Sequence, residues 1–110
     1  MGGTGAGMSP EGLFVAATAS SYCVTLAEML RAVGLPQSSL SIHAVGLVAS
    51  DAAVERFTTV IVRPTIQGAD VARRDAYAKA VIAARNNCFI GRSIRGNIVH
   101  VVGEVCLVGL

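Results

Sequence analysis

Charge is what this chain has least of. Only 15% of its 110 residues are Asp, Glu, Lys or Arg, against roughly 25% in ordinary soluble domains. On so short a chain, part of the 53% hydrophobic complement is expected to be covered by another subunit rather than by water, which predicts a homo-oligomer. A net charge of +2, with nine scattered Lys and Arg, argues against a nucleic-acid groove. Paired cysteines are also lacking: Cys23, Cys88 and Cys106 are odd in number, widely spaced and form no CxxC, so no secreted disulfide framework is expected. They fit a cytoplasmic protein with reactive or buried thiols. Close metal-ligand pairs are missing among these cysteines, His43 and His100, and neither metal nor cofactor is expected. The opening MGGTGAGM has no basic n-region for a signal peptide, and its glycines neither spell GxGxxG nor follow a strand, so it reads as a lead-in.

What is there begins with Ser9 to Gly34. Ser9 suits an N-cap, Pro10 the first helical position and Glu11 the positive end of the helix dipole, while Gly34 suits the C′ position. Apolar residues occur on nearly every face, which predicts a long helix buried on most sides. Its uncharged part, Gly12 to Ala27, is shorter than the roughly 20 residues that span a bilayer and carries several hydroxyls, so no membrane span is expected.

After the Leu35-Pro36 turn, alternation of Leu40, Ile42 and Ala44 with Ser41 and His43 predicts a half-buried strand ending near Ser50-Asp51. Val54 to Val62 is its expected antiparallel neighbour, with Pro64 as the stop. Gly68 and Asp70 open a second helix with a stripe of Val71, Ala78, Val81 and Ile82; Asn86-Asn87 should close it in turn conformations and display Cys88. A short turn or helix over Phe89 to Arg95 and one last strand from Ile98 complete a single domain, 1–110. His43 and His100 read as residues on the polar faces of strands, and Cys106 as a small strand hydrophobe.

A cysteine inside a buried helix and another at a helix end would suit a thiol redox pair, since the thiolate is the reactive form and Arg85, Arg92 and Arg95 surround Cys88 in sequence. Ordinary buried thiols are the other reading. The run GAGMSPEGLFVAATASSYCVTLAEML, followed by ARNNCFIGRSIRGN, resembles the OsmC/organic hydroperoxide resistance (Ohr) family over Gly5 to Leu110. That family pairs a GTNPExL helix carrying a peroxide-attacking cysteine with CPxSxAxRGN carrying the resolving one. The resemblance implies an α+β domain, a long central helix and a second helix on an antiparallel sheet, in an intertwined dimer with sites at the subunit interface.

It also implies roles. Pro10 and Glu11 match the helix start, Glu11 being the acid that helps orient a catalytic arginine; Cys88 matches the resolving cysteine, and Arg95-Gly96-Asn97 the signature behind it. Three departures accompany these matches. Phe89 replaces the family's proline. Counted from Pro10, the attacking position falls on Ser21, whereas Cys23 lies two residues on, about 200° round the helix. The family's N-terminal strands, one bearing the peroxide-polarising arginine, have no counterpart before the helix. The implied function is a thiol-dependent peroxidase: Cys23 attacks an organic hydroperoxide, Cys88 condenses with the sulfenic acid, and an external dithiol reduces the disulfide. The alternative is a catalytically inactive ligand-binding or stress-associated structural protein on the same scaffold.

Overall fold

The computed structural model describes residues 9–52 and 54–109; the glycine-rich lead-in falls outside them. The order is α1 (Pro10–Ala32), β1 (Ser39–Asp51), β2 (Val54–Ala69), a 3-10 turn (Val71–Arg73), α2 (Arg74–Asn87), α3 (Phe89–Ile94), β3 (Val99–Val102) and β4 (Cys106–Gly109).

Both ends of α1 follow from their residues. Ser9 accepts a hydrogen bond from the Gly12 N–H at 3.0 Å. At the other end Gly34 takes φ +71, its N–H reaches the Arg31 carbonyl, and the Leu35 N–H reaches the Leu30 carbonyl at 2.9 Å. This is a Schellman cap, and its usual apolar contact is supplied by Leu35 and Leu30, both buried. Between the caps only Thr18, Tyr22, Leu26 and Leu30 are fully buried, one stripe at four-residue spacing. The expectation of burial on most sides is corrected: Leu13 and Val24 stay more than half exposed, because α2, α3 and the sheet cover one side of the helix. By length and composition α1 could cross a membrane, yet its stripe is part of the core.

The hairpin forms as expected, with Ser39 opposite Gln67 and Asp51 opposite Val54, and a bulge between Leu47 and Val48. Pro64 does not stop β2. The strand runs to Ala69 with Val60, Val62, Pro64 and Ile66 buried in strict alternation. On the far side of β2, β3 pairs as far as Val62 and β4 resumes at Thr65. The residue with no N–H thus falls in the gap between two short strands, which is where a sheet tolerates proline.

That gap also divides the single last strand expected from Ile98. Residues 103–105 separate β3 from β4, and the Gly103 N–H bridges to the Val62 carbonyl at 2.8 Å. Both short strands are parallel to β2, so the expected antiparallel sheet is mixed. The cause is the helical connection: α2 and α3 carry the chain back across the sheet, and a strand entered after such a crossover runs parallel to the one left behind.

Of the stripe expected for the second helix, Val81 is buried, but the rest of the inward face is different. Tyr77, Ala80, Val81 and Ala84 are buried, whereas Val71, Ala78 and Ile82 are exposed. Tyr77 sets the phase, because its hydroxyl donates to the Pro36 carbonyl and accepts from the Asp70 N–H. Asp70 caps the 3-10 turn rather than α2, accepting from Ala72 N–H at 3.2 Å. The resulting core joins Tyr22, Leu26 and Leu30 of α1, Val62 and Ile66 of β2 and the inner face of α2, and it ends at Cys88.

Candidate active site

Cys88 sits at the hinge of two helices. Its extended backbone (φ −72, ψ 144) ends α2 and starts α3, with its N–H bonded to the Ala84 carbonyl and its own carbonyl accepting from Arg92 N–H, both at 2.9 Å. Asn86 and Asn87 stay helical instead of turning; the Asn87 amide donates to the Ala83 carbonyl at 2.7 Å. The expectation that the thiol is displayed is overturned, since Cys88 is 0% exposed. What covers it is α3, which can fold so closely because residue 91 is glycine. A Cβ there would lie 2.7 Å from the Cys88 sulfur and 2.6 Å from Nδ1 of His100.

The middle of α1 meets this turn from the other side. The Ile90 N–H, one of the free donors of the first turn of α3, donates to the Ser21 hydroxyl at 3.2 Å. One residue on, the Tyr22 hydroxyl donates to the Val81 carbonyl at 2.9 Å and locks α1 to α2. Burial, with the Cys88 charge behind it, pushes the Tyr22 phenol up, and Arg85 offsets part of that.

His100 was expected on the polar face of a strand. Instead its ring stands edge-on to Tyr22, centroids 6.2 Å apart, with both ring nitrogens buried and no hydrogen-bond partner. Burial first, and Arg85 second, hold its pKa below the ordinary imidazole value of 6.5. His43, by contrast, is exposed on β1 as expected. Cys106 is exposed on β4, not packed.

Of the residues singled out in the sequence, the structure brings Ser21 and the Cys88 turn together. Glu11 and Cys23 belong to another side. Glu11, Gly12, Val15, Ala16 and Ala19 line an apolar groove of about 630 Å³ between α1 and the hairpin, with Ile42, Ala44 and Phe57 opposite. Helical spacing from Gly12 through Ala16 and Ala19 continues that stripe to Cys23, which is half-buried and unpaired by any disulfide. Tyr22, Gly91 and His100 were missed by sequence reasoning. Only Gly91 carried a signal, because a glycine inside a helix costs up to about 1 kcal/mol against alanine and so marks a close approach.

A helix-on-mixed-sheet α+β domain with a cysteine held at a helix junction against the central helix defines the class of protein. The chain belongs to the OsmC-like family, whose model matches residues 3–102. It is 32% identical over 101 residues to the uncharacterized protein YmaD of Bacillus subtilis, covering 89% of this chain and 67% of that one. An OsmC-like protein of unknown function from Vibrio cholerae superposes with a TM-score of 0.75 at 26% identity, over 93% of this chain and 66% of the other. An organic hydroperoxide resistance protein OsmC from Legionella pneumophila superposes with a TM-score of 0.73 at 22% identity, over 96% and 74%. The chain spans about two thirds of the length of the first two of these relatives.

Proposed function

We propose that the chain is a thiol-dependent peroxidase that reduces organic hydroperoxides. The observation that carries this reading is the apolar groove of about 630 Å³ between α1 and the hairpin, whose α1 stripe leads to the half-buried thiol of Cys23. Cys23 is the attacking sulfur: it is more accessible than Cys88, and its stripe borders an apolar groove suited to the organic part of a hydroperoxide. Its thiolate attacks the distal oxygen of the hydroperoxide; the O–O bond breaks, the sulfur becomes sulfenic acid, and the alkoxide leaves and takes up a proton as the alcohol. The Cys88 thiolate then attacks the sulfenic sulfur, a disulfide forms and water leaves. An external dithiol returns both thiols. Because Cys88 is buried under α3 and Cys23 lies on another side of α1 from the cysteine turn, this second step requires α3 to open and the turn to move round the helix. Glu11, at the mouth of the groove, is available to orient an arginine of the peroxide site, and the working unit is a homodimer in the reducing cytoplasm.

One observation favours a second reading, a non-enzymatic ligand-binding or stress-associated protein. Ser21 holds the position that faces the Cys88 turn, and a hydroxyl cannot become a sulfenic acid. Loss of free thiols on adding cumene hydroperoxide separates the two. Peroxidase function requires thiol loss in the native protein that disappears in Cys23→Ser and stops short of a disulfide in Cys88→Ser. An inert native protein, together with a Ser21→Cys variant that gains peroxide-dependent bonding to Cys88, establishes the second reading.

A further inference from the structure

We propose that the cavity beneath the Arg95-Gly96-Asn97 turn is a binding site for a small oxyanion, held between the guanidinium groups of Arg85 and Arg95. The cavity measures about 750 Å³, and Arg85, Asn86, Arg95, Asn97 and His100 line it together with Gly91, the residue that separates it from the Cys88 sulfur. Its two cations have no anion to answer them. Among the described residues the single ion pair is Arg73 with Asp70, at the N-terminal end of α2, whereas the cavity lies at its C-terminal end.

Both arginines instead use their donors on neutral oxygens of one residue. Arg85 donates through Nε at 3.1 Å and Nη2 at 2.8 Å to the Asn86 side-chain oxygen, and Arg95 donates through Nη2 at 3.1 Å to the Asn86 carbonyl. Each guanidinium has five N–H donors, so most of them remain free. Asn86 therefore draws two like charges to one wall of the cavity, an arrangement that costs free energy until a negative group lies between them. A carboxylate or phosphoryl group does so with short, charge-assisted, bidentate hydrogen bonds, and the planar fork of arginine is built for that geometry. The positive field also extends inward, since Arg85 acts on the ring of His100 across the cavity. Gly96, at φ +96 with open space over its Cα, keeps the turn clear of the entrance. The site does not depend on the thiol chemistry above, although an anion seated in it would lie one residue from the cysteine turn.

His100 supplies the readout. The chain has two histidines, and His43 is exposed on β1, so proton NMR gives one signal in the cavity wall and one internal reference. The native protein is titrated with inorganic phosphate and, separately, with acetate, at constant ionic strength set with chloride. The expected result is a saturable shift of the His100 ring protons with His43 unmoved. The stronger anion identifies the ligand as phosphoryl or carboxylate. In Arg85→Gln/Arg95→Gln the same shift should need at least tenfold more anion; Arg95→Gln alone, at an exposed position, serves if the pair does not fold. A native His100 signal that saturates with neither anion, or a response unchanged by removing the guanidinium groups, overturns the proposal.

Discussion

At the scale of single residues, the site depends on one missing methyl group. Gly91→Ala would drive a Cβ to 2.7 Å from the Cys88 sulfur and 2.6 Å from His100 Nδ1, and neither neighbour is the far end of a flexible side chain. We expect a loss of about 1–3 kcal/mol, read as a lower urea midpoint with an unchanged m-value. His100 adds a pH dependence. Its folded pKa lies below the unfolded value near 6.5, so the unfolded chain binds more protons, and the contribution is favourable above pH 6.5 and is lost as pH falls towards the folded pKa. The urea midpoint should drop between pH 7.5 and pH 5, and His100→Gln should flatten that drop; an equal drop in the variant would clear His100 of any part in it. Residues whose role is local were legible: Ser9 caps α1 through its hydroxyl, and Gly34 closes it because the absence of a Cβ permits φ +71. Tyr22 and His100 were not, because the partners that give them their environment lie far away in sequence.

At the scale of elements, the hairpin and the start of α1 could be read directly, whereas the phase of α2 and the direction of β3 and β4 could not. Periodicity reports that a helix has an apolar face; only the Tyr77 hydroxyl, bonded across the turn to Pro36, fixes which of two adjacent stripes goes inward. Parallel pairing is likewise a property of the crossover and not of the strand's own residues. The departure at Phe89 gives a test at this scale. Phe89 stands at the first position of α3, is 76% exposed, and follows a residue at φ −72, ψ 144. Those are the backbone conditions that a following proline asks for, and proline at N1 gives up an N–H that the helix does not use. Phe89→Pro should therefore raise stability by about 0.4–1 kcal/mol through the unfolded state. If α3 must open for Cys88 to react, the same variant should also slow peroxide-driven disulfide formation. A melting temperature below that of the native protein would mean that the Phe89 ring makes a contact worth more than the entropy saved.

At the scale of the whole molecule, the scarcity of charge finds its counterpart in shape. A compact chain of this length has a radius of gyration of about 13 Å, while this one has 15.1 Å, with extents of 49 × 33 × 20 Å. The excess length leaves apolar side chains in water: Leu13 and Val24 along α1, and Leu47, Val48 and Val54 towards the hairpin end, are each 45% exposed or more. Among the described residues β1 pairs on one side alone, with β2, so its thirteen residues also present an edge of unpaired backbone groups. An uncovered edge that carries exposed Leu47 and Val48 on the same strand is what a second copy would bury, and it is where the homo-oligomer expected from composition would form. Sedimentation equilibrium at micromolar concentration should give twice the chain mass of 11.3 kDa. Val48→Asp, at a position 51% exposed in the single chain, should leave the circular dichroism unchanged while weakening association at least tenfold. A native protein that sediments as a monomer would show that the apolar surface is left to solvent, and the working unit would then be the single chain.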